Sequence, residues 1–172
     1  MEIRPWSHGD VALAAAAQPY LSMETLTRRF MAGTGGRLPE WYLRHLAAGP
    51  RPTWDAEVAA ESGMLLGWAE FGRFPDNPTV ADLSIVVTDP FQRRGIGSAL
   101  IRSMLPRCVD AGVRVLSADV LPSNRAARGL LASVFPTGMI SSFRDGALHF
   151  EIALDGHAVT MHRLGSRVLA FA

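Results

Sequence analysis

Apolar residues recur at helical spacing through the first third of this chain and mostly at strand spacing after it. Residues 2–4 read as a short edge strand stopped by Pro5. Ser7 stands three positions before Asp10, a capping-box-like start to an Ala-rich helix running to about Gln18. Ser22 caps a second helix, Met23 to Ala32, on which Leu26 and Phe30 share a face. Gly33, Gly35 and Gly36 end it. Pro39 suits the first turn of a third helix, with Trp41, Tyr42, Leu43 and Leu46 as its apolar face and Gly49-Pro50 as its stop.

From Asp55 the pattern becomes extended. Asp55 to Ala60 and Met64 to Phe71 read as an antiparallel pair around Glu61-Ser62-Gly63. Phe74 to Pro78 reads as a loop that two prolines keep out of any strand. Ala81 to Thr88 is the most apolar strand, its Leu83–Val87 run broken only by Ser84. A helix from about Gly95 to Ala111 carries Pro106, which predicts a kink. Arg114 to Leu121 is the next strand. A helix capped by Ser123 or Asn124 then runs to about Val134, and Pro136 stops it. Met139 to Phe143 and Ala147 to Leu154 form a hairpin around Asp145-Gly146. This order predicts one mixed α/β (α+β) domain over residues 1–172, built on a single, largely antiparallel sheet flanked by helices. Its core spans 1–154. An apolar tail, 156–172, either packs on the sheet or covers a partner subunit, as in a homodimer.

Composition narrows the chemistry. A net charge of +1 argues against nucleic-acid partners and polybasic membrane binding. All 17 basic residues are Arg, so Schiff-base chemistry, a Walker-type lysine and self-modification on lysine are excluded. Cys108 is the single cysteine and allows no intrachain disulfide or multi-Cys metal site. The five histidines show no metal-like spacing, which leaves no metal in the reading and assigns them to surface or core packing. No run approaches the roughly 20 apolar residues of a membrane helix, and Met1 to Pro5 lacks a signal-peptide core. The expectation is a soluble, cytoplasmic protein.

One segment carries chemistry. Gln92-Arg93-Arg94-Gly95-Ile96-Gly97 lies between the most apolar strand and a helix. Glycines there let the backbone turn tightly against a ligand, and a helix start offers free N–H groups to a phosphate. The third glycine of a dinucleotide fingerprint is missing. In context, Asp82 to Leu100 strongly resembles the acyl-CoA-binding core of the GNAT superfamily of N-acetyltransferases, whose signature is Gln/Arg-x-x-Gly-x-Gly/Ala after the fourth strand. Asp119 to Asn124, with Ala127 and Leu130 following, is similar to the family's next strand, Asn and helix. Residues 21–30 and 39–46 look like the helical part of Pat-type protein-lysine acetyltransferases.

The resemblance implies a GNAT-like sheet in which the strands around Ile85, Val86 and Val87 and around Leu116–Val120 splay apart to pair with pantetheine. It implies that backbone N–H groups of Arg93, Arg94, Gly95, Ile96, Gly97 and Ser98 hold the pyrophosphate of acetyl-CoA, with Gln92 opening the motif. Asn124 would bond the pantetheine arm. Arg93, Arg94, Arg125 and Arg128 are near enough in sequence to meet the phosphates. The reaction implied is direct acetyl transfer to a primary amine, a protein lysine or a small molecule. Backbone N–H near Val86 or Val87 would polarise the developing oxyanion. A carboxylate must take the amine's proton. Asp82 and Asp119 are the candidates, with Asp82 favoured and Glu70 a weaker third. Many members carry a Tyr acid where this chain has Leu131. That departure feeds the competing reading, a non-catalytic acetyl-CoA sensor.

Overall fold

The computed structural model describes residues 1–137 and 139–154; the tail 156–172 lies outside the described residues. Seven strands form one sheet in the order β1-β2-β3-β4-β5-β7-β6. They are β1 (Glu2–Pro5), β2 (Trp54–Glu61), β3 (Met64–Phe74), β4 (Asn77–Val87), β5 (Val115–Val120), β6 (Met139–Arg144) and β7 (Ala147–Ala153). Neighbours run antiparallel except β4 and β5, which run parallel. The helices are α1 (Asp10–Ala16), α2 (Met23–Phe30), α3 (Glu40–Ala47), α4 (Ile96–Asp110) and α5 (Arg125–Val134). The mixed, mostly antiparallel sheet matches the expected class.

Alternation along β4 explains why both faces are covered. Leu83 and Ile85 point into a core shared with Leu100, Ile101 and Met104 of α4 and Leu131 of α5. Val86, one step out of phase, packs with Trp54 and Trp68 and with Leu26 and Leu46 of α2 and α3. A strand buried on both sides reads as a continuous apolar run, which is how this one reads.

Three local expectations are corrected. Phe74 to Pro78 is not a loop: β3 and β4 continue to a tight turn at Pro75-Asp76, and Phe74 pairs with Asn77. The register shifts between Arg73 and Phe74, so Pro78, Thr79 and Val80 have no partner on β3, and the missing Pro78 N–H costs no ladder bond. Asp82 therefore sits inside β4. Second, Trp41 is not core. Tyr42 and Leu46, four apart, share the buried face of α3, whereas Trp41 is 58% exposed and lies edge-on to Phe30. Third, Ser7 does not cap α1. Its N–H and hydroxyl both donate to Asp10, at 2.7 and 2.8 Å, and the helix starts at Asp10 itself.

Candidate active site

The sheet opens at its one parallel junction. β4 and β5 pair only from Val80–Val115 to Asp82–Ser117. Among the described residues, Leu83–Val87 beyond that point has a neighbour on β3 alone, and Ala118–Val120 a neighbour on β7 alone. Two strand edges thus face each other across a wedge whose apex is Asp82. Such an edge accepts the amides of an extended ligand as an added strand.

Past the end of β4 the chain turns through Asp89–Phe91 and enters α4. Arg93 has φ +59° and Gly95 φ +80°, the left-handed geometry that a sharp entry into the helix requires. A Cβ on Gly97 would lie 3.1 Å from Leu130 and 3.3 Å from Ile85, so this glycine lets α4 seat against α5 and β4. Among the described residues, no side chain caps α4. The uncapped N–H groups of a 15-residue helix open into a cleft of about 360 Å³, lined by Ile85, Val87, Gln92, Arg93, Gly95, Ile96, Gly97, Ser98 and Asn124. This donor set fits a phosphate-bearing ligand with an extended amide arm.

Other candidates are placed elsewhere. The Val86 side chain is buried on the opposite face. Arg94 lies over the Phe91 ring, 5.1 Å from its centroid. Arg125 is exposed, and Arg128, also exposed, donates to the Pro122 carbonyl at 3.2 Å. Asn124 caps α5, its Oδ1 accepting from Ala127 N–H at 3.1 Å. Gln92 also organises its own loop: Nε2 donates towards Val87 O, Asp89 Oδ1 and Thr25 Oγ1 at 3.0, 3.0 and 3.1 Å.

Sequence reasoning missed the contribution of α2. Thr25 and Arg28 line the cleft. Asp89 fixes the helix there, accepting from Ser22 N–H at 2.9 Å and from the Thr25 hydroxyl at 2.6 Å. It also missed the small-residue flank of α5: Ala126, Gly129 and Ser133 recur at helical spacing on the cleft wall, a signal present in the sequence.

Three acids lie towards the wedge on the face covered by α2 and α3. Glu70 is fully engaged: it pairs with Arg29 and accepts from Tyr42 Oη at 2.7 Å and Trp54 Nε1 at 2.8 Å. Tyr42 is equally committed, accepting from Trp68 Nε1 at 2.8 Å, and burial raises its phenol far above the usual range. Asp82 is different. Burial, then the charge of Asp119, pushes its carboxyl up to about 7, against a smaller pull from Arg29. Asp119, also raised by burial, pairs with His149 across β5 and β7.

Leu131 is fully buried in the core. Leu131→Tyr is expected to overpack it, lowering stability by about 1–3 kcal/mol in urea unfolding while turnover stays within about tenfold.

The geometry agrees with comparisons to known proteins. Residues 20–135 match the acetyltransferase (GNAT) family. Over 130 residues the chain is 32% identical to acetyltransferase Pat of Mycolicibacterium smegmatis, covering 75% of this chain but only 39% of that protein. The GNAT domain of S. lividans PAT superposes with a TM-score of 0.79 at 22% identity, over 88% of this chain and 89% of that one. A Salmonella typhimurium protein solved with acetyl-CoA as its cofactor gives 0.70 at 21% identity, over 91% and 95%.

Proposed function

Because the chain belongs to the GNAT family of acetyltransferases, which use acetyl-CoA, we propose that it acetylates a primary amine by direct attack, with Asp82 as the base. The observation that carries this reading is the position of Asp82. A carboxyl that ionises near neutral pH stands at the apex of the wedge between β4 and β5, where an extended acyl carrier would end.

Acetyl-CoA, when bound, supplies a thioester carbonyl and a thiol leaving group. The rest is the work of this chain. N–H groups at the start of α4, from Ile96 to Ser98, hold the phosphates, and Gly95 permits the turn that aims them. The open edge of Leu83–Val87 aligns the pantetheine arm, and a backbone N–H near Val86 or Val87 faces the carbonyl oxygen. An alkylammonium ionises near pH 10, so it must lose a proton before it attacks. Asp82 takes that proton. A base ionising near the working pH is both free and strong enough to do so. A thiol ionises near 8.5 and leaves without a dedicated acid, which makes Leu131 tolerable.

The test is release of free CoA from acetyl-CoA against a panel of lysine peptides and small primary amines. Amine-dependent release is the expected result. A folded protein that binds acetyl-CoA calorimetrically yet releases CoA with no amine would overturn the reading.

A further inference from the structure

Two neighbouring arginines on α2 meet different fates. Arg29 is buried and pairs with Glu70, so its charge is spent inside the protein. Arg28 lines the cleft, and its pairing partner is Glu24, one turn back on the same helix. That pair is lopsided: the Arg28 side chain is 27% exposed and the Glu24 side chain 69%. Helical spacing explains the difference. Thr25, Arg28 and Arg29 fall on one side of α2, and Arg28 stands at the margin of that side, next to the solvent-facing Glu24. Asp89 and Gln92 both hold the Thr25 hydroxyl, which fixes α2 beside the loop that leads into α4. Arg28, three residues further on, is carried to the cleft by that latch.

Charge around the cleft is one-sided. Its lining includes the cations Arg28 and Arg93 and, among the described residues, no acid. The core of α4 packs on one face of the sheet and that of α2 on the other, so a cleft that both reach takes a ligand between them. We propose that Arg28 is a donor-binding residue, whose guanidinium leaves Glu24 and clasps the acyl-CoA pyrophosphate from the α2 side, across from the N–H groups of α4. This rests on acetyl-CoA being the acyl donor. An exposed carboxylate–guanidinium pair is worth little in water and is readily exchanged. A pyrophosphate offers more oxygens and more negative charge than a carboxylate, and the planar fork of a guanidinium suits it. Glu24 holds the arginine near the cleft and competes with the phosphates for it.

The same contact has a plainer reading, an ion pair four residues apart that supports a surface helix. The two readings differ in sign. If the pair only supports α2, removing either partner harms the helix alike, and donor affinity moves the same way in both variants. If Glu24 competes for Arg28, removing the arginine weakens donor binding and removing the glutamate tightens it. The charge of the donor separates them again. A pantetheine thioester without phosphates gains nothing from Arg28, whereas a helix out of place would lose both kinds of donor.

Calorimetric affinities of the full chain are measured for acetyl-CoA, for acetyl-dephospho-CoA, which keeps the pyrophosphate but lacks the ribose phosphate, and for uncharged acetyl-pantetheine. The proteins are the wild type, Arg28→Gln, Arg28→Lys and Glu24→Gln, each with its melting temperature. Arg28→Gln is expected to weaken both nucleotides about 10–30-fold and acetyl-pantetheine by less than about twofold. Glu24→Gln is expected to tighten both nucleotides about threefold. Arg28→Lys should recover part of the loss, because it keeps the charge without the fork. Nucleotide affinity unchanged by Arg28→Gln, an equal loss with acetyl-pantetheine, or a loss in Glu24→Gln overturns the contact and leaves the acetyltransfer reading standing. If Arg28→Gln does not fold, the sign of the Glu24→Gln effect decides. A loss confined to acetyl-CoA would assign Arg28 to the ribose phosphate and overturn the pyrophosphate contact. Wild-type protein that binds no acetyl-CoA strikes the donor reading first and the Arg28 contact with it.

Discussion

Asp82→Asn is expected to lower turnover by about 10²–10³-fold while acetyl-CoA affinity stays within about threefold, because only proton removal is lost. The wild-type rate at limiting amine should fall about tenfold for each pH unit below the Asp82 ionisation near 7, and Asp82→Asn should lose that limb. Stability moves the other way. Burial raises the folded-state carboxyl from 3.8 to about 7, so the fold prefers the neutral form. The stability associated with protonation is fully present below pH 3.8 and is lost as pH rises through about 7. Asn is neutral throughout and escapes the loss. After allowance for solvent at this partly buried site, the variant should be about 1–2 kcal/mol more stable at pH 8, and the gain should fade towards pH 4. Urea unfolding at the two pH values checks it. A variant that keeps the wild-type rate and pH profile would place the base elsewhere.

Ser98→Asp should part stability from binding. Ser98 is the third residue of α4 and lies on the cleft. An acid in the first turn of a helix is favourable to its dipole, by about 0.3–1 kcal/mol, so the melting temperature should hold or rise. A phosphate held by the same N–H groups meets that new charge. Acetyl-CoA affinity should then fall about 100-fold, close to 2.7 kcal/mol, against less than tenfold for Ser98→Asn. The loss should also shrink in high salt. Equal affinities for the two variants in calorimetry would mean that the phosphates sit elsewhere.

Features written in local sequence were legible and those made by the sheet were not. Ser22 and Asn124 cap their helices because their side chains serve N–H groups three residues on, and residues alone show that. The left-handed Gly95 and the apolar run of β4 were equally visible. Pro78 misled because its tolerance depends on a register shift against β3, which no window of sequence contains. Trp41 misled because it stands one position beside the buried row of Tyr42 and Leu46. His149 was assigned to packing because the contact that gives it a partner spans 30 positions between β5 and β7. Thr25 and Arg28 reach the cleft only because Asp89, more than 60 positions later, holds α2 over it.

The parting of β4 from β5 also bears on how this chain survives among its neighbours in a crowded solution. Leu83–Val87 is apolar but for Ser84, rich in β-branched residues and uncharged, and among the described residues one of its edges is open. Such an edge is the template on which foreign chains add and aggregates grow, and most sheets hide it with a bulge, a charge or a covering strand. Here the edge lies inside the sheet, walled by α5 on one face and by α2 on the other, so an intruding strand must thread a narrow slot rather than land on a rim. Occupancy of the wedge is then a form of self-protection: the molecules loaded for chemistry are also the ones closed to strand capture.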